Sequence, residues 1–206
     1  MRLFQRDPIK AFLEKIDKER LRGIQKRYAT STDRYAKYAN VQHWLEINLP
    51  RVRELKLDRS SPKEILDLGC GAGFFLFLAK QFGHPGVGVD VDLYPISNEL
   101  IELFAVERMS HRISAFEPLP EFGRKFDLIT AFSSAFGRSE DESRGWNVDE
   151  WKFFLDDLDR HRAPGGGEIL IEINSGKDGR YFPADVREFF RGRGAKVNGE
   201  RIWLAS

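Results

Sequence analysis

Apolar and polar residues follow two different patterns along this chain. Apolar side chains recur at helical spacing over residues 5–27 and again over 41–55, which predicts two amphipathic helices. From residue 62 onward, short apolar runs alternate with longer amphipathic stretches. The predicted strands are 64–68, 86–90, 111–115, 126–132 and 168–173, and the predicted helices are 73–82, 96–108, 148–162 and 184–192. This alternation predicts an α/β fold with a doubly wound, mostly parallel sheet.

The end of the chain breaks the alternation. Asn198-Gly199 lies between two short β-prone runs in 195–204, which is a strong hairpin signal. A C-terminal hairpin adds an antiparallel strand to the sheet. We therefore predict an N-terminal helical extension or lid over 1–61 and an α/β domain over 62–206.

Composition and charge narrow the function classes. The chain has 206 residues, 41% of them hydrophobic, which is enough for one domain with a substantial core. Its 33 basic and 32 acidic residues nearly cancel, so no global charge favours nucleic acid as a partner. No apolar run approaches the roughly 20 residues of a membrane span, and the charged start lacks the apolar segment of a secretion signal. These features predict a cytoplasmic protein without a membrane span.

A glycine-rich turn joins the first two predicted strands. The first strand contains Asp67, the turn carries Gly69, Gly71 and Gly73, and the second strand ends in Asp90. Glycines allow a tight turn and close approach to a ligand, and the following helix offers unpaired N–H groups. An acid one strand later can accept both hydroxyls of a ribose. The segment predicts a cofactor that contains a nucleoside.

The spacing of the glycines distinguishes between cofactors. A dinucleotide fingerprint needs a third glycine at position 74, where this chain has Phe74. The pattern D-x-G-x-G-x-G, from Asp67 to Gly73, resembles instead the first motif of class I S-adenosylmethionine-dependent methyltransferases. The resemblance covers about 62–206 and implies a seven-stranded sheet whose last strand is reversed, with S-adenosylmethionine as cofactor.

The resemblance also implies roles for single residues. Gly69 and Gly71 match the turn that faces the methionine part of the cofactor. Asp67 matches the acid that holds its amino group, directly or through water, and Asp90 matches the acid that binds the ribose. Asp92, two residues further on, is a second candidate for that role.

The match is looser after the third strand. Ala115 stands where this family often has an acid that bonds the adenine amino group. Adenine recognition would then fall to backbone groups around Phe116, with Glu117 as a further candidate. Phe116 has two interpretations, a cofactor contact or a core residue.

The acceptor side follows the fourth strand. Parallel sheets bind ligands at the carboxyl ends of their strands, which makes Phe132 a cofactor-site candidate and 137–147, ending beside Trp146, a candidate acceptor loop. The Asn/Asp-Pro-Pro-Tyr and Pro-Cys motifs of nucleic-acid and amine methylation are absent from this point of the sequence. We therefore expect methyl transfer to an oxygen or nitrogen of a small polar, possibly sugar-like, molecule.

No catalytic base or metal ligand stands out. The four histidines look structural or exposed; His161 lies at a helix C-terminus, where the helix dipole favours its charged form. Methyl transfer from a sulfonium needs proximity more than a base, so the catalytic residues stay unassigned. Tyr35 and Tyr38 are candidates for a lid over the cofactor.

Two alternatives remain open. One is a binding module that keeps the fold without catalysis, which Ala115 and the missing base favour. Its partner would contact the basic arm at residues 2–27, with nine basic and four acidic side chains. The other is a nicotinamide-linked oxidoreductase, which Phe74 and the terminal hairpin disfavour.

Overall fold

The computed structural model describes residues 8–136, 145–174 and 181–205. The described helices are α1 (Pro8–Leu13), α2 (Lys18–Tyr28), α3 (Val41–Glu54), α4 (Phe74–Gln81), α5 (Pro95–Phe104), α6 (Val148–Asp159) and α7 (Ala184–Gly192), with a 3-10 helix at Ala36–Ala39. The strands are β1 (Ile65–Leu68), β2 (Gly86–Asp90), β3 (Glu107–Ser110), β4 (Leu128–Ser134), β5 (Glu168–Ile173), β6 (Lys196–Asn198) and β7 (Arg201–Leu204).

The strands form one seven-stranded sheet in the order β3-β2-β1-β4-β5-β7-β6. β4 pairs in parallel with β1 and with β5, whereas β7 is antiparallel to both β5 and β6. The predicted α/β fold with a mostly parallel sheet and an antiparallel C-terminal hairpin is therefore confirmed.

The chain divides into two compact units. The first unit combines the described residues up to 62 with 70–109, and the second combines 63–69 with the described residues from 110 onward. The first unit thus contains α1–α5 with β2 and β3, and the second contains the other five strands with α6 and α7. The units do not coincide with the predicted boundary at 61/62, which stays a prediction about domain organisation.

In the first unit, the N-terminal helical pattern is interrupted once. The predicted helix over 5–27 is two helices, because Asp17 caps α2 by accepting hydrogen bonds from the backbone N–H groups of Glu19 and Arg20. The buried side chains Phe12, Ile16 and Ile24 form the apolar face that the spacing predicted.

The first unit also contains a close contact between β2 and the glycine turn. The Cys70 N–H donates to the carbonyl of Val89 at 3.2 Å. A Cβ placed on Gly88 would lie 2.3 Å from the Cys70 Sγ. The thiol therefore occupies the space that a side chain at position 88 would need, so Cys70 is a packing residue.

The third predicted strand is wrong in position. The strand predicted at 111–115 is β3, at Glu107–Ser110, and the helix predicted to reach 108 ends at Phe104. Ala105 adopts a left-handed conformation (φ +48°), and the Val106 N–H bonds back to the Ile101 carbonyl at 3.1 Å. This cap ends the helix without the glycine that usually marks such a stop, so the sequence pattern did not reveal it.

In the second unit, β1, β4 and β5 form a buried centre. Asp67 pairs with Thr130, and Thr130 pairs with Leu170, so their side chains share one face of the sheet. Phe132 and Glu172 form the next row on that face. The ends of these strands position the residues described below. None of the described helices is long and apolar enough to cross a lipid bilayer.

Candidate active site

The glycine turn has the backbone geometry that its sequence predicted. Gly69, Gly71 and Gly73 all have positive φ, at 71°, 55° and 76°, and α4 begins at the next residue. A Cβ on Gly71 would have no atom within 4 Å, whereas one on Gly73 would lie 2.7 Å from the Ile101 Cδ1. Gly71 therefore borders open space, whereas a Cβ on Gly73 would require the Ile101 side chain to shift.

Asp90 is bound to this turn. Its Oδ2 accepts the Gly71 N–H at 2.6 Å, and its Oδ1 accepts the Val91 N–H at 2.7 Å. Burial raises the pKa of Asp90 above its ordinary value, and the two backbone N–H groups oppose that shift. A carboxylate has about four lone-pair positions, so these two bonds leave it able to accept further donors.

Asp92 has a different environment from Asp90. It is exposed and forms an ion pair with Arg108, whose Nη2 also donates to the Asn98 Oδ1 at 2.8 Å. The Asn98 side chain in turn donates to the Asp92 carbonyl at 3.3 Å. These three side chains thus stabilise the segment that follows Asp90. The sequence pattern did not predict that Arg108 takes part in it.

Aromatic residues of the N-terminal segment lie beside the same turn. The ring of Tyr38 packs against Phe74, the first residue of α4, with the centroids 6.0 Å apart. Burial raises the pKa of Tyr38, and the neighbouring Tyr35 and Asp90 add to this rise. The predicted lid role of Tyr35 and Tyr38 stays a prediction.

Asp67, in the second unit, is a buried acid with a specific partner. It is 3% exposed, and its Oδ1 accepts a hydrogen bond from the Thr130 Oγ1 at 2.7 Å. Thr130 is completely buried. It lies in a strand whose apolar pattern concealed it, so sequence reasoning missed it.

The end of β4 is irregular. The register with β5 shifts between Phe132 and Ser134, and Ser133 adopts φ +56°, which is uncommon for a residue with a side chain. The Asn174 side chain donates to the Ser133 carbonyl at 2.6 Å, and the Ser133 hydroxyl donates to Glu172 at 3.4 Å. These contacts fix a strained backbone at the carboxyl end of two central strands.

Glu172 also contacts the C-terminal hairpin. The Nε and Nη2 of Arg201 lie 2.8 and 2.7 Å from the Glu172 Oε2, and the glutamate is 8% exposed. The guanidinium and the carboxylate thus form a charge-assisted pair. A polar cluster of Ser133, Glu172, Asn174 and Arg201 thus lies beside Phe132, which is half-buried.

The adenine candidates lie in the second unit. Phe116 is 56% exposed, so its interpretation as a core residue is wrong. It adopts φ +58°, and its ring contacts Phe153 of α6 edge-on at 5.8 Å. Ala115 is half-buried beside it. Their contact with a cofactor stays a prediction.

The candidate acceptor loop is only partly described. Residues 137–144 lie outside the described residues. Trp146 is 3% exposed, and its ring is 5.1 Å from Phe136 and from Phe154 and 5.2 Å from Trp151. Trp146 is therefore a core residue of the second unit and not an acceptor contact, because the aromatic cluster encloses it.

His161 differs from its prediction. It is 2% exposed, and burial, aided by the neighbouring Arg160, lowers its pKa. The neutral form is therefore favoured, because desolvation outweighs the helix dipole. Among the described residues, no group of three or more His, Cys, Asp or Glu side chains is arranged to hold a metal ion.

A surface depression of about 460 Å³ runs along α6, lined by Asp149, Lys152, Phe153, Asp156, Asp157 and Arg160. Its charges pair with one another: Lys152 with Asp156 at 3.0 Å, and Arg160 with Asp157 at 2.5 Å. None of the predicted cofactor residues lines it.

The part of the chain that contains the glycine turn is similar to known methyltransferases. The family described as a methyltransferase domain matches residues 35–135, which include the glycine turn, Asp90 and β4 up to Ser134. A tRNA U34 carboxymethyltransferase from Campylobacter jejuni is 29% identical over 86 residues, 41% of this chain and 30% of that protein. The corresponding enzyme of the subspecies doylei is 30% identical over 82 residues, 39% of this chain and 28% of that protein. The chain thus matches less than a third of the length of these relatives.

Solved structures share the fold. The crystal structure of Streptomyces venezuelae DesVI superposes with a TM-score of 0.53 at 14% identity, over 78% of this chain and 91% of that one. An O-methyltransferase family protein from Burkholderia thailandensis gives a TM-score of 0.51 at 17% identity, over 86% and 60% of the two chains. These matches show the fold. Together with the methyltransferase-domain match over residues 35–135, the glycine turn and Asp90, they support the assignment of the chain to the class I S-adenosylmethionine-dependent methyltransferases.

Proposed function

We propose that this methyltransferase binds S-adenosylmethionine through Asp67, Gly69, Gly71 and Asp90 and transfers the methyl group to an oxygen or nitrogen of a small polar acceptor. The hydrogen bond between the Gly71 N–H and Asp90 carries the cofactor part of the proposal. It joins the turn that would face the methionine part to the acid that would bind the ribose. Ala115, Phe116 and Phe132 would complete the cofactor site.

The electrostatics of these acids suit this cofactor. S-adenosylmethionine carries a cationic amino group and a cationic sulfur, which acidic side chains attract. Asp67 and Asp90 supply negative charge on either side of the glycine turn along the chain. A carboxylate beside the turn, as at Asp67, suits a cationic cofactor better than a pyrophosphate.

The acceptor part rests on the polar cluster at the ends of β4 and β5. Ser133, Glu172 and Asn174 supply a hydroxyl, a carboxylate and an amide, groups that pair with the hydroxyls and amines of a sugar-like molecule. The Glu172 carboxylate can accept a hydrogen bond from the O–H or N–H of the acceptor molecule and so orient the lone pair of that oxygen or nitrogen toward the methyl group. Proximity of this kind supplies much of the rate enhancement in a displacement on an already activated carbon.

An RNA acceptor is the second candidate. Lys18, Arg22 and Lys26 are exposed on α2 at spacings of four residues and so form one basic stripe. Such a stripe can contact phosphates. The matched Campylobacter jejuni relatives are named as tRNA enzymes, which favours including RNA in the test.

Two measurements test the proposal. Calorimetry with S-adenosylmethionine and S-adenosylhomocysteine would compare the native chain with Asp90→Asn, and with Asp92→Asn as the matched control. We expect micromolar binding that Asp90→Asn weakens at least tenfold and Asp92→Asn leaves within about twofold. Equal losses in both variants would contradict the assignment of Asp90.

Transfer of a radiolabelled methyl group identifies the acceptor class. The panel contains amino sugars, neutral sugars, small aliphatic amines and bulk tRNA. Label on a sugar or an amine supports the small-acceptor proposal, and label on tRNA alone favours the RNA candidate. Cofactor binding without label on any of the four would contradict both and favour a non-catalytic binding module.

A further inference from the structure

The buried pair of Thr130 and Asp67 has a feature that packing alone does not require. The two residues are register partners on β4 and β1, and the hydroxyl donates to the Asp67 Oδ1 at 2.7 Å. Valine has nearly the shape of threonine and suits a buried strand at least as well. The hydroxyl at position 130 is therefore present for the carboxylate.

β4 supports the start of the glycine turn at a second point. The Ser134 Oγ donates to the Leu68 carbonyl at 3.1 Å, and a Cβ on Gly69 would lie 2.7 Å from the same Oγ. Thr130 and Ser134 thus fix, through two hydroxyls, the segment from Asp67 to Gly69. Threonine is stiff at χ1, so its hydroxyl holds a defined direction once the backbone is set.

We propose that Thr130 is a positioning residue, which orients the Asp67 carboxylate for the cationic amino group of S-adenosylmethionine. This inference rests on the proposed function, in which Asp67 holds that amino group directly or through water. Thr130 itself touches no reacting atom. It acts through Asp67, because a carboxylate in a buried site keeps both its orientation and its charge only with donors around it.

The chemistry of the cofactor separates this role from a structural one. S-adenosylmethionine carries the amino group, whereas 5′-methylthioadenosine has the same adenosine and lacks the amino acid. A defect in the orientation of Asp67 would weaken binding of the first ligand and spare the second. General damage to the fold would weaken both.

The test is calorimetry of both ligands with Thr130→Val, with Thr130→Ser as the variant that keeps the hydroxyl. We expect Thr130→Val to weaken S-adenosylmethionine binding about tenfold, the usual effect of losing a hydrogen bond to a charged group. Methylthioadenosine binding should change less than twofold, and Thr130→Ser should behave like the native chain.

A double-mutant cycle completes the test. Thr130→Val should add no further loss in an Asp67→Asn background, since both changes remove the same interaction. Equal loss of both ligands, no loss of either, or full additivity in the cycle would overturn the positioning role. If Thr130→Val does not fold, Thr130→Ala takes its place, and its binding of the same two ligands is compared with that of the native chain. The proposed function itself would be overturned by a different result, in which the native chain does not bind S-adenosylmethionine, whether or not it binds methylthioadenosine.

Discussion

The ring of Tyr35 lies against the ring of Tyr94, with the centroids 3.8 Å apart and the planes inclined by 35°. Tyr94 is the N-cap of α5, four residues after Asp90. A hydrogen bond with Tyr35 is the largest cause that raises the pKa of Tyr94, and the Arg34 guanidinium lies 4.8 Å from the Tyr35 ring centroid. The N-terminal segment is thus anchored beside the proposed ribose acid.

Removal of this aromatic contact should loosen the N-terminal segment. We expect Tyr35→Ala to lose about 1–2 kcal/mol of stability and to weaken S-adenosylmethionine binding, because aromatic pairs contribute beyond their buried area. Tyr35→Phe keeps the ring and serves as the matched variant. Hydrogen exchange over 18–40 and calorimetry measure the two effects; unchanged exchange in Tyr35→Ala would argue against an anchoring role.

Gly71 and Gly73 of the turn should respond differently to alanine. Gly71→Ala forces a left-handed alanine into open space, at a cost of about 1–2 kcal/mol, and should weaken cofactor binding more than tenfold. Gly73→Ala adds a clash with Ile101 and should lose about 3 kcal/mol. Gly83→Ala, also at positive φ in open space, controls for backbone strain alone. Equal affinities of the Gly71 and Gly83 variants would argue against a ligand at the turn.

As the pH is lowered, cofactor affinity should begin to fall at a higher pH than it would if Asp90 had the ordinary pKa of an aspartate. Burial raises the pKa of Asp90, and its ionised form is the better acceptor for two ribose hydroxyls. Affinity should therefore fall as the pH decreases toward that raised pKa, above the reference value of about 3.9. Calorimetry from pH 4 to pH 8 measures this limb. It should be absent from Asp90→Asn, which binds weakly throughout.

His161 should make the fold sensitive to acid. Its pKa is lowered in the folded state by burial, so unfolding takes up a proton below the reference value of about 6.5. Its contribution to the free energy of unfolding is therefore complete above pH 6.5 and is lost as the pH falls toward the lowered pKa. Urea titrations at pH 7.5 and 5.5 measure how much the free energy of unfolding falls between the two pH values. This fall should be smaller for His161→Gln than for the native chain. His43→Gln, which removes an exposed histidine, should lose as much as the native chain.

The strained end of β4 should reject a branched side chain. Ser133 has φ +56°, a conformation that β-branched residues rarely adopt. We expect Ser133→Val to lower the free energy of unfolding by about 1–3 kcal/mol, whereas Ser133→Gly keeps it within about 1 kcal/mol. Thermal unfolding of the two variants decides this. Similar melting temperatures would mean that the backbone relaxes freely at this position.

The sequence predicted the features that depend on local pattern. The strand before Gly69, the strand that ends in Asp90 and the terminal hairpin were placed within a residue or two. Each of them combines an apolar run with glycine or Asn-Gly, and such signals are local. The family assignment followed from the same short segment.

The features that depend on contacts between distant residues were not predictable. Thr130 looks like any strand residue until β4 pairs with β1, and Trp146 looks like a loop residue until its aromatic neighbours enclose it. β3 begins four residues earlier than predicted because the helix before it ends at a left-handed Ala105, and alanine is not a residue that signals a helix end. Tertiary packing decided all three.

Gly88 and Cys70 share one small volume, since a methyl group on the first would lie 2.3 Å from the sulfur of the second. A side chain at position 88 therefore requires a smaller residue at position 70. A homologue with alanine at the position of Gly88 should carry glycine at the position of Cys70, and a homologue with a larger residue at 70 should keep glycine at 88. The thiol of the glycine turn thus depends on a glycine in a different element, β2, for the space that it fills.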